Sequence, residues 1–306
     1  MEKIDMRKAT VFLVLAVLSI NAFSHGDNSH FPKSQDVQFK SIKLTDNVYM
    51  LQGRGGNIGA LVGPEGILIV DDDYRVMGEK LAAALKALGQ EKPRFILNTH
   101  WHGDHTEGNQ FFGKDSTIIA HFNVRKRMSQ SNVLSFFNET IPASPVHAWP
   151  VITYTESMSI HINGEDIKLV HFPNGHTDGD TVVFFTKANV VHLGDDFFVG
   201  RFPFVDLDSN GSVQGLINNI GNLVAKIPTD AKLIPGHGPV STHADLKNYH
   251  TMLIETSKIV QDGMKAGKSL DELKKAGFPE KFKEAGSGFI KTEQWVEMIY
   301  KSYAKK

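Results

Sequence analysis

The chain contains no cysteine in its 306 residues. Disulfides, thiolate metal ligands and a cysteine nucleophile are therefore all excluded. The absence is silent about compartment, because an oxidising one permits disulfides without requiring them. An excess of charge of either sign is also lacking: 33 Lys and Arg against 34 Asp and Glu leave a formal net charge of −1. That balance gives no global electrostatic case for nucleic acid or an anionic membrane surface. No short-period repeat, low-complexity tract or obvious linker breaks the sequence. Beyond the N-terminus, no segment is apolar enough to span a bilayer. What is present is a globular composition, 41% hydrophobic and 22% charged, long enough for one large core or two small ones.

The N-terminus speaks about compartment. Lys3, Arg7 and Lys8 form a positive lead, and Ala9 to Ile20 is an apolar run broken by Thr10 and Ser19. Ala22-Phe23-Ser24 then offers small residues at the positions a signal peptidase reads. This layout predicts a secretory signal over residues 1–24, cut after Ser24. The run is shorter than the ~20 apolar residues of a spanning helix, which argues against an uncleaved anchor. The expected mature protein is secreted or periplasmic, with no stable membrane anchoring after signal cleavage. Residues 25–38, with His25 and His30, read as a loose polar lead-in.

Short β-type runs follow at Phe39 to Leu44, Val48 to Gln52, Ile58 to Val62 and Ile67 to Val70. Gly63-Pro64-Glu65-Gly66 is a hairpin signal between the last two. Val76 to Leu88 has helical spacing, closed by Gly89. Arg94 to Leu97 and Thr117 to Ala120 read as strands, and Phe122 to Met128 as a short helix. Its Arg125, Lys126 and Arg127 read as a solvated face. Residues 138–150, rich in proline, read as an irregular loop. The second half repeats the theme: Val151 to Tyr154, Met158 to Ile162, Ile167 to Val170, Thr181 to Phe185, Val190 to Leu193 and Leu233-Ile234 as strands, Ser212 to Ala225 as a helix. Two β-rich halves, each followed by helix, predict an α+β fold of two sheets packed face to face with helices outside. The expected division is one catalytic domain over residues 39–245, with a helical C-terminal extension over 246–306 packed on it.

The chemistry concentrates in Asn98-Thr99-His100-Trp101-His102-Gly103-Asp104-His105, directly after the apolar Phe95-Ile96-Leu97. Three imidazoles and one carboxylate fall within six positions, His100 to His105, where a buried strand ends. Imidazole suits zinc, iron or nickel, and carboxylate widens the choice toward harder ions. A metal site needs more ligands than one loop supplies. Three further Gly-bearing segments follow β runs: Asn174-Gly175-His176-Thr177-Asp178, His192-Leu193-Gly194-Asp195-Asp196 and Pro235-Gly236-His237-Gly238.

With these residues in hand, the chain resembles the metallo-β-lactamase-fold hydrolase superfamily over about residues 40–245. The resemblance rests on the His-x-His-x-Asp-His run and on the order of the three later motifs. It implies a four-layer αββα sandwich. It also implies one metal held by His100, His102 and His176, a second by Asp104, His105 and His237, and Asp195 as the bridge. Gly194 before Asp195 fits the superfamily's Gly-Asp pair, which selects Asp195 over Asp196. The implied cofactors are two Zn2+ per chain, with iron or manganese as alternatives for an all-His/Asp donor set. The implied partner is a small-molecule substrate: an ester, lactone, thioester or amide whose carbonyl is attacked by a metal-bridging hydroxide, oriented by Asp104 and Asp195.

Departures from particular branches leave rivals open. Zinc β-lactamases that place Cys in the second site have no counterpart here, and their Lys three positions later is Phe198; Arg201 nearby is a candidate substitute, which keeps hydrolysis of β-lactam antibiotics as an alternative. A glyoxalase-type thioesterase and an acyl-lactone lactonase share the ligand set. Phe197, Phe198, Phe202 and Phe204 are either an apolar wall for an acyl chain or ordinary core. A non-catalytic periplasmic metal-binding protein is the rival from another class. Glu107 adds a negative group beside the ligand loop, where relatives often have Gly. Asp71 reads as a helix cap or, by the resemblance, as an acceptor for a ligand histidine. His171 and His192 read first as structural histidines, with orientation of a ligand imidazole as the alternative.

Overall fold

The computed structural model of the protein describes residues 37–304. The expected signal over 1–24, most of the lead-in and both His25 and His30 lie outside the described residues.

Seven strands form the first sheet: β1 (Lys40–Lys43), β2 (Val48–Gln52), β3 (Ile58–Leu61), β4 (Leu68–Val70), β5 (Phe95–Asn98), β6 (Thr117–His121) and β9 (Ile152–Tyr154), in that spatial order. β1 to β4 pair antiparallel, then β4, β5, β6 and β9 run parallel. The second sheet has β10 (Ser157–Ile162), β11 (Glu165–His171), β12 (Thr181–Phe185), β13 (Val190–His192) and β14 (Lys232–Ile234). Its first four strands are antiparallel neighbours and β14 joins β13 in parallel. A separate hairpin pairs β7 (Asn132–Leu134) with β8 (Glu139–Ile141).

The helices are α1 (Gly78–Ala87), the single turns α2 (Gly103–Thr106) and α3 (Asn109–Phe112), α4 (Phe122–Met128), α5 (Val213–Lys226), α6 (His243–Lys265), α7 (Leu270–Ala276) and α8 (Thr292–Ala304). Among the described residues, no helix is long and apolar enough to cross a membrane.

The continuous apolar runs make sense once both faces of each sheet are seen to be covered. Successive side chains on a strand point to opposite faces. Leu68 and Val70 enter the core between the sheets, whereas Ile69 between them packs with Leu81 and Leu85 of α1. In the second sheet Val183 and Val190 face the inter-sheet core. Val182 and Val191 face outward onto a core with Leu216 and Ile220 of α5. Each fully buried aliphatic side chain contributes roughly 1.5–3 kcal/mol. The result is helix, sheet, sheet, helix, the expected αββα sandwich.

The C-terminal helices complete the fourth layer. Leu246 and Leu253 of α6, and Trp295, Val296 and Ile299 of α8, share one apolar core with α5 and the outer face of the second sheet. Trp295 donates its indole N–H to Thr256 Oγ1 at 3.1 Å, and Ser302 Oγ accepts from Val213 N, tying α8 to the start of α5. The expected division after residue 245 falls inside α6, whose capping box on Thr242 and Asp245 starts the helix. Domain and extension are one packing unit, because α5 and the outer face of the second sheet share a single apolar core with α6 and α8.

Two local expectations are corrected. Residues 138–150 are not irregular throughout: Glu139–Ile141 is a strand, since Asn138 adopts a left-handed turn conformation (φ 54°) that lets the chain fold back on β7. The basic trio on α4 is not a solvated face. Arg127 makes a bidentate ion pair with Asp178 at 2.6 and 2.7 Å, and Arg125 donates to Pro150 O, leaving Lys126 exposed.

Candidate metal centre

Four strands deliver the seven expected ligand residues. β5 ends at Asn98 and β13 at His192, β11 at His171 and β14 at Ile234. β11, β13 and β14 run in one direction in the second sheet, so their motifs leave the same edge, and the His100–His105 loop after β5 of the first sheet meets them there. The structure brings all seven together. In each of three groups the candidate ligand atoms lie within 4.8 Å of one another: His100, His102 and His176; His100, His105 and Asp195; Asp104, His105 and His237.

Asp195 sits between the two histidine sets. Its Oδ2 is 3.6 Å from His176 Nε2, 3.9 Å from His100 Nε2 and 3.4 Å from His237 Nε2, while Oδ1 is 3.1 Å from His105 Nε2. Asp104 Oδ2 lies 3.2 Å from His237 Nε2 and 3.6 Å from His105 Nε2. Asp196, the neighbour passed over, turns away beneath the Gly175 turn toward Asp180 and Asn219.

Backbone shape makes the convergence feasible. Gly194 takes φ +53°, and a Cβ there would lie 2.8 Å from Thr99 Cβ and Oγ1. At Gly236 a Cβ would strike Asp195 Oδ1 itself. These are the close approaches that glycine permits and other residues do not.

The outward nitrogens of the rings are held, so the inward ones are aimed. His105 Nδ1 bonds Asp71 Oδ2 at 2.7 Å, and Asp71 also accepts from Thr99 N and Oγ1, both at 2.7 Å. Asp71 therefore acts as the histidine acceptor and not as a cap. His176 Nδ1 donates to Phe204 O at 2.7 Å. His102 is turned the other way: its Nε2 bonds Asp206 Oδ2 at 3.0 Å and its Nδ1 faces His176 Nε2 at 2.8 Å. Asp206 was absent from the expected residues. It stands at the end of the apolar run Phe202-Pro203-Phe204-Val205, which carries no ligand-type pattern to mark it. His192 is structural, donating to Asn57 O at 3.0 Å and accepting from Gly194 N. His171 stacks on His121, ring centroids 3.7 Å apart, away from the ligands.

Electrostatics divide the imidazoles into two classes. Burial, with His105 and His176 alongside, holds His100 well below its ordinary range, and burial pushes His176 down to about 4. Burial acts the same way on His237, but Asp195 and Asp104 outweigh it and lift His237 to about 9. His105 is likewise raised, with Asp195, Asp104 and Asp71 overcoming burial. Burial would raise Asp195, yet His105 and His237 hold it well below the usual carboxylate range.

The donor set fits divalent cations. His100 Nε2, His105 Nε2 and Asp195 Oδ1 are buried without a hydrogen-bond partner in the centre of the cluster. Buried polar atoms are normally satisfied, and such inward orphans mark where ions fit. A cation held by the three imidazoles of His100, His102 and His176 would have room for a further ligand, as a catalytic site requires.

The rim is formed by three segments. The turn at Gly53-Arg54-Gly55-Gly56 is pinned by Asp73, which accepts from Arg54 N and Gly55 N at 2.9 Å, and Gly56 N bonds Asp104 O. Glu107 leans over Gly103 and accepts from Arg75 N at 3.4 Å. The four phenylalanines split. Phe197 packs on Tyr249 and Phe202 on Trp295, both as core, while Phe198 stacks on His237 (5.3 Å between ring centroids) and Phe204 lies 5.7 and 5.8 Å from the His102 and His176 rings.

Comparison with known proteins places this geometry in context. The family model described as the Metallo-beta-lactamase superfamily matches residues 47–241. A protein of Streptococcus pyogenes serotype M6 described as a probable metallo-hydrolase is 24% identical over 200 residues, 63% of this chain and 84% of that one. Among solved structures, a metallo-beta-lactamase from Pontibacter korlensis superposes with TM-score 0.58 at 16% identity, covering 71% of this chain and 99% of that chain. The stereoselective inverting sec-alkylsulfatase Pisa1 from Pseudomonas sp. superposes with TM-score 0.65 at 12% identity, over 87% of this chain and 50% of that one. At these identities the structural likenesses establish the fold alone.

Proposed function

This chain belongs to the metallo-beta-lactamase superfamily and is a metal-dependent hydrolase, and on that premise we propose that it is an exported binuclear zinc enzyme acting on a carbonyl substrate. The observation that carries the reading is the Asp195 carboxylate between two histidine sets, with His100 Nε2, His105 Nε2 and its own Oδ1 buried in the centre without a hydrogen-bond partner. His100, His102 and His176 would hold one ion, Asp104, His105 and His237 the other, with Asp195 bridging. Two divalent ions there would supply Lewis acidity toward a scissile carbonyl and a water acidic enough to ionise near neutral pH.

The chain's own residues supply the rest. Asp71, Asp206 and the Phe204 carbonyl fix the His105, His102 and His176 rings, so the donors are set before any ion arrives. Asp104 and Asp195 present carboxylate oxygens toward His105 and His237, where they would orient a nucleophilic water. Phe198 and Phe204 cover the ligand rings with apolar surface, which excludes bulk water and strengthens the local field. The secretory layout of residues 1–24 supports export.

The test is metal analysis of the mature protein, joined to turnover on an ester, a lactone, a thioester and nitrocefin. Two zinc per chain with hydrolysis in the panel is the expected result, and chelation should abolish the hydrolysis. Stoichiometric metal without turnover on any substrate would replace this reading with a metal-binding protein. Export is checked by fractionation and by an N-terminus at His25; a cytoplasmic, uncut chain would remove that part.

A further inference from the structure

Five aromatic side chains extend the site outward in one direction. Phe204 lies against the His102 and His176 rings. Phe136 and Phe137 pack on Phe204 with ring centroids 5.4 and 5.0 Å away, and on each other at 4.9 Å. Phe289 continues the row, 5.7 Å from Phe137. Phe198 closes the inner end, stacked on His237 and 6.1 Å from His176.

These rings come from three distant parts of the chain. Phe136 and Phe137 sit on the 3-10 turn Ser135–Phe137 at the tip of the β7–β8 hairpin. Phe289 belongs to the C-terminal extension, and Phe204 to the segment that carries Asp206. Their placement is fixed. Asp208 Oδ2 accepts from Ser135 N at 2.7 Å, holding the hairpin to that segment, and Phe202 N bonds Ala285 O at 3.2 Å, holding the extension to it.

Exposure grades outward along the row. Phe198 and Phe204 are buried, Phe136 and Phe137 are half-buried, and Phe289 is 48% exposed. Phe136 and Phe137 are the edge of the core that holds Phe198 and Phe204. Together the rings place a continuous apolar row between the ligand rings and the surface. No ring in it brings a charged or hydrogen-bonding group, so it discriminates by apolar area alone.

We propose that this track is the acyl subsite of the hydrolase, and that the enzyme prefers substrates carrying a medium-length unbranched acyl chain. The chain runs over Phe204, Phe136 and Phe137 toward Phe289, with its carbonyl at the ligand cluster. The extension thus contributes to substrate choice as well as to packing. This rests on the hydrolase reading above and names the substrate class for the same site.

The experiment uses the metal-loaded mature protein and its Phe137→Ala, Phe289→Ala and Phe289→Leu variants. Hydrolysis of p-nitrophenyl acetate, butyrate and octanoate is measured, and octanoate binding is followed by calorimetry. Each methylene that enters an apolar pocket adds discrimination, so kcat/KM for octanoate should exceed that for acetate by about tenfold or more. That ratio should fall several-fold in Phe137→Ala and Phe289→Ala, mainly through KM, and recover in Phe289→Leu. Octanoate should bind the wild type and bind both alanine variants more weakly. Turnover with a flat chain-length profile, or a ratio untouched by either alanine substitution, overturns the subsite and leaves the hydrolase reading standing. No turnover on any ester counts against the hydrolase reading; octanoate binding then decides the track alone, supported if the alanine variants weaken it and overturned if the wild type binds none. Phe289 is about half exposed and outside the buried core, so its variants test the track with little risk to the fold.

Discussion

His102 Nε2 and Asp206 Oδ2 are 3.0 Å apart across 104 positions of sequence. The bond dictates which nitrogen of His102 faces inward. With Nε2 committed to the buried Asp206, Nδ1 turns toward His176 Nε2 at 2.8 Å. Asp206 is itself anchored, accepting from Asp208 N and Ser209 N at 3.0 Å. Replacing Asp206 by Asn keeps the shape and removes the charge that favours this tautomer. Metal affinity at the His100, His102 and His176 set should drop by about 10- to 100-fold. Competition with a chromophoric chelator measures it; affinity within twofold of wild type would show that Asp206 does not position His102.

Asp195 and Asp196 are adjacent in sequence and opposite in placement. Asp195→Ala should strip or disorder metal and lower hydrolysis by orders of magnitude, because the carboxylate between the histidine sets is lost. Asp104→Ala should act alike. Asp196→Asn, beneath the Gly175 turn, should retain two metal equivalents. Full activity in Asp195→Ala would be fatal to the bridging assignment.

His192 separates structure from ligation. It is buried and doubly hydrogen-bonded, to Asn57 O and from Gly194 N. His192→Ala should lower the melting temperature, with about 1–3 kcal/mol lost for unsatisfied buried groups, while metal content stays near wild type. A metal loss as severe as that of Asp195→Ala would make His192 a ligand.

His121 supplies an acid-sensitive contribution to stability. Burial, together with the stacked His171, pushes its pKa down to about 4, against the smaller opposing effects of Thr155 O and Asp178. The folded protein therefore refuses a proton that the unfolded chain takes up below about 6.5. Stability should fall as pH drops from about 6.5 toward 4, and be unaffected by this group above that window. His121→Asn keeps an acceptor for Asn123 N at the start of α4 and removes the titration. Thermal melts from pH 7.5 to 4.5 should show a shallower decline in the variant; parallel declines would refute the assignment.

The extension is expected to be indispensable to folding. A chain ending at residue 245 would uncover Leu216, Ile220 and Leu223 of α5 and leave the core they share with Trp295 and Ile299 open to water. Such a chain should aggregate or show no cooperative melt. A soluble, cooperatively folding truncation would show that the second sheet needs no cover from α6 and α8.

The ligand set was legible because its signal is local. His100, His102, Asp104 and His105 fall within one turn of chain, and His176, Asp195 and His237 each follow a strand with glycine beside them. Strand ends could be read from apolar runs, and parallel strands place such ends on one rim. Asp206 was not legible, because its acid lies in an otherwise apolar segment with no ligand nearby in sequence. The basic residues of α4 misled for a related reason. Their partners, Asp178 and Pro150 O, lie 51 and 25 residues away, and composition cannot see them.

Sequence alone determined which donor atoms this protein owns, that none is sulfur, and that two β-rich halves must each hide two apolar faces. Those properties are covalent or follow from short-range periodicity. Tertiary structure decided which nitrogen each imidazole turns inward, and which phenylalanines meet the site and which the core. These outcomes depend on hydrogen-bond partners and packing surfaces from distant parts of the chain. Such partners acquire an identity when the sheets close on each other, and local pattern carries no record of them.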